Sequence, residues 1–277
     1  MTDGYELLDA GDGRKLERFG DLVLARPCSQ ALWRPRLAAA EWARADAAFD
    51  REEGNNWHHR ARLPKEWTIE TAGVRFRLGG TDFGHLGIFP EQREQWRWIR
   101  KTVAERSLTR RLSVLNLFAY SGGSTMAAAL GGAEVCHLDA SKGMVEWARA
   151  NARLNALADH PIRWIVDDAH KFMRREIRRA RRYDAVILDP PTFGRGAGGE
   201  MYRIERDLKE TFALVTELLS DTPAFVLFSS HTPGLSPTVA QNILAQLWPA
   251  ARLEAGEMLL EGRSLVCPSG VYARACW

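Results

Sequence analysis

The sequence predicts an α/β protein: an open, mostly parallel sheet with helices on both faces, finishing in an antiparallel hairpin, behind a small strand-rich N-terminal part. Three observations predict it. From about residue 86 onward, short apolar runs alternate with helical stretches, the pattern of parallel strands joined by crossover helices. The last such run is followed by RLEAGEMLLEG and RSLVCPSGVYARACW, two strand-like segments whose turn is too short for anything but an antiparallel pair. The first 85 residues lack that alternation and read as strand and loop. The expected organisation is therefore an appendage over 1–85 and an α/β domain over 86–277.

In the appendage, YELLDAGDGRKLERFGDLVLARP reads as two or three short strands with DAGDG and FGD as turns. PRLAAAEWARADAAFD has helical composition, DREEGNNWHHRARLPKEW looks irregular, and TIETAGVRFRLGG is a hairpin turning near Ala72 and Gly73. The character changes at GIFPEQREQWRWIRKTVAER, where Pro90 suits a first helical turn and Glu91 and Glu94 suit its positive end. Strands follow at 112–118, 133–140, 162–168, 183–189 and 224–231. The helices between and after them are TMAAAL, KGMVEWARANARLN, a basic helix over 169–182, ERDLKETFALVTELLS, and SPTVAQNILAQLW, with Ser236 as N-cap and Pro237 in the first turn.

Composition narrows the function classes. A length of 277 residues with 45% hydrophobic residues supports one large domain with an appendage. No apolar run is long enough to span a bilayer, and MTDGYELLDAGDG has no apolar signal region, so a cytoplasmic protein away from membranes is expected. The cysteines, Cys28, Cys136, Cys267 and Cys276, show no CxxC spacing, which argues against zinc and a disulfide framework. The net charge of +3 says little, but HKFMRREIRRARR, residues 170–182, is dense in arginine.

In open α/β sheets ligands sit beyond the carboxyl ends of the strands. Here those ends are NLFAYSGGSTM, Asp139, Asp167 with Asp168, and Asp189. Asp139 can accept both hydroxyls of a ribose. Asp168 can accept an adenine amino group while the Ala169 N–H donates to the ring, and Ala140 borders the same turn. Gly122 and Gly123 let the backbone approach a cofactor. A regular G-x-G-x-x-G fails, because Phe118 and Tyr120 stand where the first two glycines belong. The plain alternatives are a tight turn at Gly122–Gly123 and a helix N-cap at Asp139.

LNLFAYSGGSTMAAALGGAEVCHLDAS resembles the first two motifs of bacterial large-subunit ribosomal-RNA methyltransferases, in which N-x-F-x-Y-[ST]-G replaces the usual glycines. DPPTF resembles their fourth motif. GHLGIFPEQRE, Gly84 to Glu94, resembles their pre-motif segment G-x-F-x-D-Q-R, with Glu91 in place of the Asp. The resemblance covers about residues 80 to 275. It implies a Rossmann-like class I methyltransferase sheet and S-adenosylmethionine (SAM) as cofactor. It also implies that Asn116, Phe118, Gly122, Asp139, Asp168 and Asp189 line the site, with Phe89 and Gln92 as further candidates. The N-terminal part departs from the resemblance: it leaves no room for the small RNA-binding domain with which many members begin.

DPPTFG supplies the reaction edge. Two prolines fix a rigid turn and remove backbone donors, leaving carbonyls and the Asp189 carboxylate as acceptors for a base. Pro190 shapes that turn and Phe193 can stack on the base; the plain reading makes Phe193 a core residue. Methyl transfer from a sulfonium needs alignment and no metal. Methylation at cytosine C5 needs a thiolate. In cytosine-modifying relatives that cysteine follows the fifth strand in Phe-Ser-Cys, whereas this chain reads LFSSHTP with Ser230 at that place, so a nitrogen target fits better. Cys267 reads as packing and not as a substitute. Ser229, Ser230 and His231 lack a G-x-S-x-G elbow and do not read as a hydrolase.

The basic helix reads as a solvated face before it reads as an RNA patch, and NNWHHRAR, Asn55 to Arg62, has a stacking-plus-phosphate composition. The function expected is methylation of a base of ribosomal RNA. The alternatives are a methyltransferase acting on a protein or small molecule, and a non-catalytic nucleic-acid-binding protein. Sequence leaves the oligomeric state open.

Overall fold

The computed structural model describes residues 4–51, 54–108, 110–196, 198–262 and 265–277. The start of MTDGYELLDAGDG, Glu52 and Glu53 of the irregular stretch, and Arg263 and Ser264 of the closing turn lie outside the described residues. The chain divides into two compact units, one running to Arg93 and including Leu259–Ser269, the other comprising Glu94–Met258 and Gly270–Trp277.

In the first unit, β1 (Tyr5–Gly11), β2 (Arg14–Phe19) and β3 (Leu22–Pro27) form an antiparallel meander. After α1 (Ala39–Trp42) come β4 (Ala47–Asp50), parallel to β3, and β5 (Asn56–His58), antiparallel to β4, giving the order β1-β2-β3-β4-β5. The helix expected over 35–50 is therefore a single turn. That turn buries none of its residues, so propensity has no packing to reinforce it. Asp46 instead accepts a hydrogen bond from the Val23 amide at 2.7 Å, which draws the next residues into the sheet. The stretch read as irregular contains β5. A separate hairpin, β6 (Trp67–Thr71) and β7 (Val74–Leu78), turns as expected at Ala72 and Gly73, with φ of 51° and 72°.

The second unit carries the expected α/β alternation. Its first helix is α2 (Arg93–Arg106), which belongs to this unit from Glu94 onward and follows the 3-10 turn Pro90–Gln92 that ends the first. Then follow β8 (Ser113–Leu117), α3 (Gly123–Leu130), β9 (Glu134–Asp139), α4 (Lys142–Leu154), β10 (Ile162–Val166) and α5 (Ala169–Arg178). Beyond them lie β11 (Ala185–Leu188), β12 (Phe193–Arg195), β13 (Met201–Arg203), α6 (Ile204–Leu218), β14 (Phe225–Ser230) and α7 (Pro237–Leu247). β15 (Arg252–Glu261) and β16 (Val266–Cys276) close the chain. The sheet order is β10-β9-β8-β11-β14-β16-β15. β8, β9, β10, β11 and β14 are mutually parallel, and β16 runs antiparallel to β14. This is the fold class the sequence predicts. The small ribbon of β12 with β13 was not foreseen, because three-residue strands carry no periodicity.

Apolar side chains fix the layers. Leu115, Leu117, Val186, Leu188, Val226 and Phe228 point from one sheet face onto Phe172 and Met173 of α5, Phe212 and Val215 of α6 and Leu244 of α7. Burying a residue of that size contributes about 1.5–3 kcal/mol. Caps fix the helix starts: Ser141 accepts from Met144 N, Asp168 from Lys171 N and Ser236 from Val239 N. At the amino edge of the sheet, buried Asp184 accepts two bonds from Arg110, at 2.6 and 2.8 Å, plus bonds from Ser113 N and Ser220 Oγ. Burial pushes its carboxyl up, but these donors outweigh it and hold it below the usual range. No helix among the described residues is long and apolar enough to cross a membrane.

Candidate active site

Strand order in the second unit reverses between β8 and β11: β9 and β10 build outward on one side, β11 and β14 on the other. A crevice at the carboxyl ends of such strands is where open α/β sheets hold ligands. Leu117 pairs with Leu138 and with Leu188, and Leu188 with Phe228. The next residues, Phe118, Asp139, Asp189 and Ser229, therefore share one level along that edge. Asp139 and Asp189 flank Phe118 across two strand spacings, about 10 Å. Asp167 joins the row, its amide donating to the Asp139 carbonyl at 3.2 Å.

The loop after β8 follows the path a glycine loop would take, without the glycines. Phe118 has φ of 54° and Tyr120 of 49°, in the left-handed region. That conformation costs a non-glycine residue about 1–2 kcal/mol. Asp139 supplies a restraint that offsets it, accepting from Tyr120 N and from Ser141 N at 2.8 Å each. Burial pushes the Asp139 carboxyl up, and the Ser141 and Tyr120 amides pull it part of the way back. Asp139 is thus not the N-cap of α4, a position Ser141 holds. Ala140 sits half-exposed between them. The Phe118 ring packs 5.1 Å from the ring of Tyr202, a neighbour that sequence spacing could not reveal.

The glycines also have a packing reason that local sequence does not reveal. At Gly122, with φ of 87°, a Cβ would lie 3.0 Å from the Ala148 Cβ; at Gly123 it would lie 2.6 Å from the Trp96 ring. Close packing of α3 against α4 and α2 accounts for both. Asn116 is buried and donates to Thr125 Oγ1 at 2.9 Å, and Thr125 Oγ1 lies 2.9 Å from His137 Nδ1. The Asn116 side chain is thus engaged between β8, α3 and β9. Asp168 is half-exposed at the head of α5, and Ala169 is buried in its first turn. Asp167 accepts from Asp168 N and pairs with Arg175.

On the other side of the reversal, Pro190 is buried and Pro191 exposed. Phe193 is 53% exposed, which removes the core reading, and the Arg203 guanidinium lies 5.8 Å over its ring. Thr192 Oγ1 is 2.8 Å from Thr232 Oγ1, tying the Asp-Pro-Pro turn to the end of β14. His231 Nδ1 lies 3.7 Å from Asp189 Oδ1. The sequence reading set His231 aside; adjacency of β11 and β14 was the missing signal. Ser230 is buried, and its Oγ accepts from Thr232 N at 3.1 Å.

Other candidates fall elsewhere. The basic residues after Arg178 lie at the opposite, amino-terminal edge, where Arg163, Glu176, Arg179, Arg181, Arg182 and Tyr183 help line a cavity of about 690 Å³. Several arginines of that region are held internally: Arg174 by Glu210, Arg175 by Asp167, and Arg163 and Arg179 by Glu176. Phe89 and Gln92 belong to the first unit, flanking and ending its 3-10 turn, with Gln92 buried. Cys267 also belongs to that unit and lies beside Cys28. His58 and His59 are exposed and help line a cavity of about 700 Å³ with Arg14, Arg34 and Trp42. Among the described residues no group of three or more His, Cys, Asp or Glu is placed to hold a metal.

The strand order, the antiparallel β16 and the acidic strand ends around a left-handed loop define a class I methyltransferase sheet. The family of S-adenosylmethionine-dependent methyltransferases matches residues 34–249. The chain belongs to that family. It is similar to a crystallised SAM-dependent methyltransferase from Agrobacterium tumefaciens, 34% identical with a TM-score of 0.93, the match covering 99% of this chain and 91% of that one. It is also similar to the ribosomal RNA large subunit methyltransferase K/L of Shewanella sp. (strain ANA-3), 32% identical over 225 residues, 77% of this chain and 29% of that protein. The protein of the same name in Shewanella baltica (strain OS195) is 32% identical over 185 residues, 66% of this chain and 25% of its own length. The chain thus spans less than a third of these curated relatives.

Proposed function

We propose that this chain is a cytoplasmic methyltransferase that moves a methyl group from SAM to a base of ribosomal RNA, on nitrogen and not on cytosine C5. One observation carries the reading: a strained loop, pinned by Asp139, opens beside an Asp-Pro-Pro turn at the strand-order reversal. The donor set fits the cofactor. Asp139 offers a carboxylate, at the end of the second strand, to a vicinal diol. Asp168 and the Ala169 amide offer an acceptor and a donor to adenine. The backbone of Phe118–Gly123 borders the methionine part, with Asn116 as a positioning residue through Thr125.

When bound, SAM supplies a methyl group already activated by its sulfonium. The chain has to hold a nucleophile in line with it and exclude water. Asp189 and the carbonyls of the turn at Pro190 accept hydrogen bonds from the base, and exposed Phe193 stacks on it. His231, beside Asp189, is placed to take a proton released from nitrogen. Support for RNA comes from the names of the Shewanella relatives. Support for nitrogen comes from Ser230, whose buried hydroxyl accepts from Thr232 N and offers no thiolate.

The test is radiolabelled methyl transfer from SAM to ribosomal RNA extracted from a strain lacking the gene, with mass spectrometry to locate the methyl group. Label on a single nitrogen of one base is expected. Label on protein or small molecules would redirect the substrate, a methyl on cytosine C5 would overturn the nitrogen target, and no melting shift with SAM would leave the non-catalytic alternative.

A further inference from the structure

We propose that Cys28 and Cys267 form a modification site, a thiol pair that closes to a disulfide on reaction with a hydroperoxide. The inference stands apart from the methyl-transfer reading. The two residues are 239 positions apart, yet their Sγ atoms lie 3.3 Å from each other within the first unit. Their exposures divide the labour: Cys28 is partly accessible, Cys267 is 0% exposed.

The surroundings make the pair asymmetric. The contact with Cys267 is the main reason the Cys28 thiol is lowered to about 6, against the opposing effect of burial. The Lys15 ammonium and the Gln30 and Ala31 amides add to the effect. Cys267 moves up, first through that same contact and then through burial. The sulfur that is shifted toward its thiolate, the reactive form, is thus also the accessible one, Cys28.

The chemistry balances with a hydroperoxide as oxidant. The Cys28 thiolate attacks the outer oxygen, the O–O bond breaks, and the departing alkoxide takes from solvent the proton that Cys28 released on ionising, leaving as an alcohol (water, for hydrogen peroxide). Cys28 becomes a sulfenic acid. Cys267 then loses its proton and attacks the Cys28 sulfur. The S–S bond forms, and the hydroxyl leaves with that proton as water. Two thiols and one hydroperoxide become one disulfide, one alcohol and one water, and a small thiol can reverse the result by exchange.

The link would fasten a segment already threaded into the first unit. Gly262 bridges Leu7 in parallel fashion, and Ser269 Oγ donates to Glu91 at 3.1 Å. Further along the same strand, Val271 pairs with Ser230.

The full chain is treated with hydrogen peroxide or with a reducing thiol, denatured in iodoacetamide, digested without reduction and mapped by mass spectrometry. In the oxidised sample most Cys28 and Cys267 should appear as one cross-linked peptide, cleaved by reductant, with Cys136 and Cys276 alkylated. In Cys267→Ser, Cys28 should be captured as a sulfenic acid by a cyclic 1,3-diketone; in Cys28→Ser, Cys267 should stay a thiol. The wild-type map alone decides the matter if a variant fails to fold. Recovery of both cysteines alkylated after peroxide, or Cys28 joined to Cys136 or Cys276, would overturn the proposal.

Discussion

Replacing Asp139 by asparagine separates two roles that alanine would confound. Each carboxylate oxygen holds one amide: Oδ2 takes Tyr120 N and Oδ1 takes Ser141 N, both at 2.8 Å. Asparagine keeps one acceptor and turns an NH₂ group toward the other N–H. One lost bond of that kind, with its donor left unsatisfied, costs about 1–3 kcal/mol of stability. A ribose diol would exchange a charged acceptor for a neutral one. At about 1–1.5 kcal/mol for each of two bonds, affinity should fall roughly 30- to 150-fold. The assay is calorimetric titration with S-adenosylhomocysteine, which binds without turning over, beside urea unfolding of both proteins. Wild-type affinity should also weaken on acidification as Asp139 takes up a proton, above the ordinary aspartate range because its carboxyl is shifted upward. That limb should vanish in the variant. A dissociation constant within about threefold of wild type, together with the expected loss of stability, would refute the cofactor role and leave Asp139 a loop tether only.

Asp189→Ala should lower kcat by about 100-fold while leaving S-adenosylhomocysteine affinity within about threefold; parallel loss of both would remove Asp189 from the base-binding edge. Ser230→Ala should retain most activity and lose about 1 kcal/mol of stability through the orphaned Thr232 amide; an inactive but folded enzyme would contradict the nitrogen assignment. His137 is fully buried, and desolvation, with Arg149 nearby, lowers it to about 3. The unfolded chain protonates this group near 6.5 and the folded one does not, so stability falls as pH drops below 6.5. Between pH 7 and 5 the loss should be about 2 kcal/mol by urea unfolding, and His137→Gln should lack it; equal pH slopes in the two proteins would argue against a neutral buried imidazole.

The parallel strands were legible because their apolar runs end in residues no core tolerates. Leu138 and Leu188 are buried and are followed at once by Asp139 and Asp189, while Phe228 is followed by the buried polar pair Ser229 and Ser230. Each of the five parallel strands stops one or two residues before the expected end; in β10, β11 and β14 the residue that leaves the ladder is Asp167, Asp189 or His231. The α5 boundary moved more: Ala180, with φ of 52°, turns the chain before the last two arginines of the run. Residues 35–50 misled because alanine favours a helix in isolation, while long-range pairing with β3 decides the outcome. His231 beside Asp189, Tyr202 beside Phe118 and Cys28 beside Cys267 depend on tertiary neighbours and leave no local trace. At Gly122 and Gly123 the structure adds a reason the sequence could not show, since a side chain there would meet Ala148 and Trp96.

The twist stored at Phe118 and Tyr120 has a practical corollary for anyone engineering this scaffold. Glycine at either position would relieve the local backbone, and a thermostability screen could select it. The same exchange would remove an aromatic side chain and loosen the loop that the proposed function sets beside the cofactor. Heat-resistant variants carrying such a glycine should therefore be sorted by catalytic rate before they are kept, because ruggedness and precision pull on these two residues in opposite directions.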